Sequence, residues 1–432
     1  MTRFYSITEI AEIYNVSQKT IRRQIANDKL IAYRVGNQWR IDEKDLESWV
    51  KGYNESDTKQ LDALREFTQY NLFGEPVRLP GRVSKNHKKL DIINWVDISD
   101  YWGETPAKKY SYIDLFAGAG GLSLGLEMAG FVGILAVEIM EQAVATYKRN
   151  FKHPVIPVID NDIREFKTKQ DVYELVNKNL GNDSLDMICG GFPCQGFSLS
   201  GYRVVEDERN SLYREMIEII GELRPKFVIM ENVVGLRSML HGKVEEKIIN
   251  DLQQLDYRIN ITVLNSADYE VPQIRNRVIF IANNIGRMNF HPSPLLTPEY
   301  YKTTREAIGG LIDHPNDPAF NHEMARHSPE MRERLMRVPE GKSLYDNYSD
   351  AWKKCPWNEP SCTIKENHGG VNIHPRLPRV LTVREMARLQ SFPDDFIFCG
   401  ARKWQMVQVG NAVPPLLGKA IGLAVRKSLE QK

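Results

Sequence analysis

The segment Tyr110–Glu138 constrains this 432-residue chain more than any other. Tyr-Ser-Tyr-Ile-Asp-Leu-Phe (110–116) is a β-branched and aromatic run, which predicts a buried strand. It enters Ala117-Gly118-Ala119-Gly120-Gly121, after which Leu122, Leu124, Leu126 and Met128 start an amphipathic helix. A second strand, Phe131–Val137, ends on Glu138, 20 residues beyond Gly118. A strand, a glycine turn, a helix and an acid at the next strand end form the first unit of a doubly wound α/β sheet holding an adenosine cofactor. Glycines let the backbone approach the ligand, and the carboxylate can accept both ribose hydroxyls. Two details favour S-adenosylmethionine over a dinucleotide. Residue 123 is serine, so G-x-G-x-x-G is incomplete, and a second acid, Asp162, follows a short strand predicted at Val155–Ile159, where it can hold an adenine amino group. The alternative is a glycine turn that serves chain geometry only.

Composition narrows the surroundings. With 42% apolar and 26% charged residues the chain can bury a core in each of two or three domains. The run Phe131–Val137 is far short of the ~20 residues of a membrane span, and the N-terminus lacks a signal-peptide core. Five cysteines without a CxxC pair argue against a disulfide framework or structural zinc, and for the cytoplasm. No metal site is expected. The net charge of +1 gives by itself no reason to expect nucleic acid.

Charge distribution says more. Residues 1–50 read as a helix-turn-helix followed by a wing. Ser6-Ile7-Thr8-Glu9 caps one helix, Ser17 caps a second through about Asn27, Ile31–Ile41 makes a hairpin turning at Gly36-Asn37, and Asp42–Val50 closes the unit. Residues 17–40 carry six basic side chains (Lys19, Arg22, Arg23, Lys29, Arg34, Arg40) against Asp28 alone, a balance of +5 where a recognition helix and wing meet phosphates. The module resembles excisionase and MerR-like DNA-binding domains; the competing reading is a solvated helical hairpin. Residues 51–108 read as a connector.

Chemistry concentrates further on. Met187–Ser198 closes a fourth strand with Gly191-Phe192-Pro193-Cys194-Gln195, and a cysteine at the carboxyl end of a parallel strand faces the ligand crevice. Cys189, inside the strand, reads as core. Pro225–Val233 is a fifth strand carrying Glu231-Asn232-Val233, so Cys194 and Glu231 should flank one pocket. Gln273-Ile274-Arg275-Asn276-Arg277, Arg384–Pro393 and Gln408-Val409-Gly410-Asn411-Ala412-Val413-Pro414-Pro415 follow. With Asp114–Gly121 these are six motifs in order over about residues 110–425, and the chain resembles the DNA (cytosine-5)-methyltransferases of bacterial restriction-modification systems.

The resemblance implies a Rossmann-like methyltransferase sheet with a small target-recognition domain, beside the N-terminal winged helix-turn-helix. It divides the chain into a catalytic S-adenosylmethionine-binding domain at 109–285, target recognition at 286–398 and a C-terminal return at 399–432. Its chemistry needs these residue types. Carbon 5 of cytosine is a poor nucleophile until the Cys194 thiolate adds to carbon 6. Glu231, sharing a proton with ring nitrogen 3, would stabilise the charge pushed onto the ring. Arg277, and less directly Arg275, would hold the base carbonyl oxygen and the thiol in register. The target must be flipped out of the duplex, with Ser198–Asn210, including Arg203 and Arg209, closing over the DNA beside Gln195. The cofactor pocket would comprise Phe116, Gly118, Gly120, Gly121, Leu122, Glu138, Ile139, Asp162, Ile163, Pro193, Asn411 and Val413. Ile139 stands where the family often has Trp, and Ala412 where Ser is frequent.

The expected partner is duplex DNA bound by a monomer, with a cognate restriction endonuclease as functional pair and autoregulation as a further use of the N-terminal module. The region 286–380 holds six of nine histidines (291, 314, 322, 327, 368, 374) and Arg326, Arg332, Arg334 and Arg337. These residue types suit reading guanines and phosphates; a charged helix face is the alternative for the arginines. Two other functions compete: a tRNA cytosine-5 methyltransferase, and a DNA-binding regulator with an inactive methyltransferase domain. The recognised DNA sequence is not readable.

Overall fold

The computed structural model describes residues 93–432 except 105, 152–157, 182, 194–209, 346–351, 366–371 and 432. Before residue 93 it describes 4–6, 25, 30, 32–35, 38–42, 69–70 and 76–77. The chain forms two compact units, residues 1–87 and 88–432.

In the first unit, β2 (Tyr33–Val35) and β3 (Gln38–Asp42) pair antiparallel, as the two arms of the expected hairpin should; the turn predicted at Gly36-Asn37 lies outside the described residues. Strand β1 (Phe4–Ser6) pairs with β3, an addition that three residues of sequence did not signal. Leu30 and Ile41 are buried. A minimal hairpin of β4 (Gln69–Tyr70) and β5 (Pro76–Val77) lies in the stretch read as connector. The predicted helices at 6–27 and 42–50 fall outside the described residues apart from single positions.

The second unit is built on a seven-stranded sheet. Its strands are β7 (Tyr110–Leu115), β8 (Phe131–Val137), β9 (Val158–Ile159), β10 (Met187–Gly190), β11 (Phe227–Val233), β12 (Arg258–Asn265) and β13 (Asn276–Asn283). The order is β12-β13-β11-β10-β7-β8-β9; β13 runs antiparallel to both neighbours and the others are parallel. Order reverses at β7, between β8 and β10, which opens a crevice at the carboxyl ends of these strands.

Both faces of the sheet are covered, so its central strands read as continuous apolar runs rather than alternating ones. Alternation survives in which core each residue joins. Cys189, Ile229 and Ile281 pack into one core, whereas Ile188, Val228, Met230 and Phe280 pack into the other. The first core receives α2 (Gly121–Met128), α3 (Glu141–Asn150) and α11 (Pro415–Leu429), and the second α4 (Phe166–Leu180), α5 (Asn210–Leu223) and α6 (Lys243–Gln254). α1 (Ser99–Trp102) precedes β7, and β6 (Asn94–Val96) pairs in parallel with β14 (Phe290–Pro292). The residues from 94 onward in the predicted connector therefore belong to this unit.

Between β14 and α11 the chain forms α7 (Thr304–Ile308), α8 (Pro329–Arg337), α9 (Val383–Leu389) and α10 (Arg402–Asn411), joined by bridges and turns. A small separate core gathers Leu335, Val338 and Ile373. Helix α11 brings the C-terminus back against α2, and the approach is close because Gly125 has no side chain. A Cβ there would lie 2.3 Å from the Pro415 carbonyl oxygen and 2.5 Å from the Lys419 nitrogen. Both obstacles are backbone, so Gly125→Ala must push α11 outward. Thermal denaturation should show it destabilised by ~1–3 kcal/mol or more; an unchanged midpoint would contradict this packing.

Candidate functional site

The crevice has two ends. At the first, β7 runs out through Phe116 and Gly118, whose φ angles are +64° and +57°, into Gly120 at +95°. Among the described residues a Cβ on Gly118 would meet nothing within 4 Å, so this backbone borders space that a ligand can fill. Gly121 is required for another reason: a Cβ there would lie 2.2 Å from the Val413 carbonyl oxygen, where the C-terminal return leans on the turn.

Glu138 holds the turn in place. One carboxylate oxygen accepts from the Gly118 N–H at 2.8 Å and the other from the Met140 N–H at 2.8 Å. Burial pushes this carboxyl above its ordinary value, against the N–H groups of Met140, Gly118 and Ile139, which favour the anion. Ile139 is 61% exposed, an apolar side chain kept on the surface at the mouth of the crevice. Leu122, Ile163 and Val413 are buried behind it; Asn411 and Pro193 are exposed. Asp162 accepts from the Arg164 backbone and guanidinium, and that pairing, ahead of burial, holds its carboxyl low. Any adenine contact there is shared with Arg164.

A buried polar cluster that sequence reading missed supports this end. Ser123 Oγ donates to Asp114 Oδ2 at 2.5 Å and accepts from the Tyr147 hydroxyl at 2.8 Å, tying β7, α2 and α3 together beneath the turn. Burial raises the Asp114 carboxyl to about 7. The signal was present: an acid inside a strand needs a partner.

At the other end, β10 and β11 are parallel neighbours with Gly190 opposite Met230, so Gly191 lies beside Glu231. Asn232 Nδ2 donates to the Phe192 carbonyl at 2.9 Å and pins the Gly191-Phe192-Pro193 turn to β11. Glu231 Oε1 pairs with Arg277 Nε at 2.7 Å, both side chains being largely buried. Val233 and Arg277 are cross-strand partners, which is why β13 delivers this arginine to that carboxylate. Cys194, Gln195, Ser198, Arg203 and Arg209 lie outside the described residues.

Arg275 stands elsewhere. It is 2% exposed, and its guanidinium donates to the carbonyls of Ile364 (2.8 Å), Gly410 (3.0 Å) and Ala412 (3.1 Å). Burial, ahead of the neighbouring Arg277 charge, lowers its pKa well below the ordinary value. Its two terminal nitrogens thus donate to backbone, which gives it a structural part beside the less direct role expected of it, while Nε finds no partner among the described residues. Gln273 completes the brace, donating to Leu389 O and Gln390 Oε1 and accepting from the Ile364 N–H, while Gln390 donates to Val409 O.

Three of the six histidines expected to read DNA are sealed in the interior, while His314 and His327 are half-buried and His368 lies outside the described residues. His291, His322 and His374 are completely buried, and burial lowers the pKa of His291 to about 3 and of His374 to about 4. Arg326, Arg332, Arg334 and Arg337 are exposed, though Arg337 pairs with Glu333 one turn away. Arg379, not singled out by sequence, forms a buried bidentate pair with Glu385 at 2.7 Å. Among the described residues no group of three or more His, Cys, Asp or Glu side chains converges on a metal position. Of the basic residues of the first unit, Arg34 and Arg40 lie on β2 and β3, paired with Trp39 and Tyr33; Lys19, Arg22 and Arg23 fall outside the described residues.

Comparison with known proteins agrees with this geometry. The family model for C-5 cytosine-specific DNA methylases matches residues 110–427, and a helix-turn-helix domain model matches residues 4–53. Type II methyltransferase M1.HphI of Haemophilus parahaemolyticus is 39% identical over 337 residues, covering 73% of this chain and 87% of that protein. Type II methyltransferase M.DdeI of Desulfomicrobium norvegicum is 35% identical over 369 residues, covering 72% and 86%. The crystal structure of a putative DNA modification methyltransferase encoded within an E. coli prophage superposes with a TM-score of 0.60 at 27% identity, covering 75% of this chain and all of that one.

The buried histidines carry a pH signature. Among the described residues neither ring nitrogen of His291 has a hydrogen-bond partner, so the fold accepts it neutral. Its contribution is complete above the unfolded value of 6.5 and is lost as pH falls toward about 3. Over that window His291→Leu should flatten the fall in stability by about 1.4 kcal/mol per pH unit relative to the parent. Denaturant midpoints at stepped pH values measure it, and parallel curves would count against a neutral buried His291.

Proposed function

The chain belongs to the C-5 cytosine-specific DNA methylase family, and from that premise we propose how its residues divide the work. Glu138, Gly118, Gly120 and Gly121, with Phe116, Leu122, Ile139, Ile163, Pro193, Asn411 and Val413 around them, hold S-adenosylmethionine; Asp162 assists from its pairing with Arg164. The cofactor supplies an electrophilic methyl group. The open space over Gly118 and the carboxylate buried at the end of β8 support this fit.

Cys194 follows the pinned Phe192-Pro193 turn at the carboxyl end of β10. As thiolate it adds to carbon 6 of a cytosine turned out of the duplex. Glu231 faces ring nitrogen 3 and stabilises the charge that addition places on the ring. Arg277, paired with Glu231, orients that carboxylate and offers its remaining donors to the base carbonyl oxygen. Carbon 5 then accepts the methyl group. Loss of the carbon 5 proton and expulsion of Cys194 restore the ring. The Glu231–Arg277 ion pair beside the turn that leads into Cys194 carries this reading. Arg275 acts at one remove, as the brace that keeps β13 in place.

In the same reading residues 286–398 recognise a short duplex sequence, with Gln195, Ser198, Arg203 and Arg209 contacting the DNA around the extruded base. The N-terminal module, through Lys19, Arg22, Arg23, Arg34 and Arg40, adds a second DNA contact. That module favours duplex DNA over tRNA as substrate.

Bisulfite sequencing of a plasmid from cells expressing the protein tests the activity and yields the target. One methylated motif is expected; an unmodified plasmid would overturn the proposal. Cys194→Ser should abolish methyl transfer from tritiated cofactor while duplex binding persists. The two arginines should separate. Arg277→Met should lower turnover by about 10²–10³-fold, with a smaller fall in melting temperature than Arg275→Met because Glu231 can take up a proton. Arg275→Met leaves buried carbonyls unpaired and should destabilise the fold by ~3 kcal/mol or more. Equal effects of the two on stability and turnover would refute this division.

A further inference from the structure

Two thiols meet in the target-recognition region. Cys355 Sγ and Cys362 Sγ lie 3.7 Å apart, and neither belongs to the motifs used above. Cys355 is buried; Cys362 is half-buried and lines a cleft of about 440 Å³ with Lys353, Glu340 and Thr363. Asn372 Nδ2 donates to Cys362 Sγ at 3.1 Å. The hydrogen bond from Cys355, then the Lys353 charge and the Asn372 amide, hold the Cys362 thiol below its ordinary value. The same hydrogen bond, then burial, pushes Cys355 well above its own. The outer sulfur is thus the nucleophile and the inner one waits behind it.

The segment carrying Cys362 also supports the Arg275 brace. The Ser361 N–H donates to Pro272 O, the Ile274 N–H to Ser361 O and Thr363 Oγ1 to Ile274 O, while Ile364 accepts from Arg275. A disulfide of ~2.05 Å requires the sulfurs to close well over an ångström, and any movement of Cys362 pulls on this segment.

We propose that Cys355 and Cys362 form a thiol–disulfide exchange site, entered from the cleft by small disulfides and coupled through residues 361–364 to the Arg275 brace. The Cys362 thiolate attacks one sulfur of the small disulfide, forming a mixed disulfide and releasing a thiolate. Cys355 then attacks Cys362 sulfur, the second small thiolate departs, and the Cys355 proton passes to it. Two protein thiols become one disulfide, and one small disulfide becomes two thiols.

Glutathione disulfide is the probe, applied to the full chain bearing Cys194→Ser so that the catalytic thiol is silent. Peptide mass analysis should find Cys355 joined to Cys362, at a loss of about 2 Da from the reduced protein. Adding Cys355→Ser should leave glutathione on Cys362, and adding Cys362→Ser should leave Cys355 unmodified. An unmodified Cys362, or a mixed disulfide that persists with both cysteines present, would overturn the exchange site.

The coupling rests on the function proposed above and is read separately, as methyl transfer after oxidation by the chain with Cys194 intact and by its Cys362→Ser variant. Loss common to both belongs to Cys194. An additional loss in the parent, reversed by dithiothreitol and absent in Cys362→Ser, is the expected result. Identical loss in the two would overturn the coupling and leave the mass result standing.

Discussion

A buried guanidinium holds the reactive strand in place. Arg275 sits in the core with almost no solvent contact, an expensive place for a charge unless its donors are used. Its two terminal nitrogens donate to the carbonyls of Ile364, Gly410 and Ala412, which lie 89, 135 and 137 residues along the chain. Gln273 and Gln390 add a second layer of hydrogen bonds between the same segments. Three distant stretches, around 364, 389–390 and 410–412, are locked to the start of β13. Two residues further on, Arg277 emerges beside Glu231, so its position inherits the rigidity of the brace.

The rest of the site follows from sheet order. Because β7, β8, β10 and β11 are parallel neighbours, the Gly118 turn, Glu138, the Phe192-Pro193 turn and Glu231 all leave the sheet on the same side. The groups proposed to hold the cofactor and those proposed to react then share one crevice without any long side chain reaching across. Two buried features set the walls. The Asp114–Ser123–Tyr147 cluster anchors the floor of the glycine turn, and α11, seated against Gly125, carries the Val413 carbonyl to Gly121.

Much of this was legible in the sequence because the deciding residues are local. The glycine turn, the acid at the end of β8, the strand carrying Glu231 and the pairing of β2 with β3 each depend on a few adjacent residues whose conformational preferences are strong. Misreadings came where residue type suggested one role and burial decided another. Histidines at 291, 322 and 374 suit base recognition as a composition, yet all three are interior. Arg275 and Arg277 share a motif and differ by two positions. One meets backbone carbonyls in the core, and the other meets a carboxylate at the edge of the crevice. Asp162 is spoken for by Arg164 two residues away, a pairing that spacing permits but does not require.

The sequence by itself determined the class of sheet, the family, the residue types at the reacting strand ends and the charge concentrated near the N-terminus. Each is written in contiguous motifs whose chemistry has few alternatives. Only the tertiary structure decided which arginine faces Glu231, which histidines are sealed in the core, what holds the glycine turn, and that Cys355 and Cys362 confront each other across a seven-residue separation. Those outcomes depend on desolvation and on partners far away in the chain, and neither is visible until the chain has closed on itself.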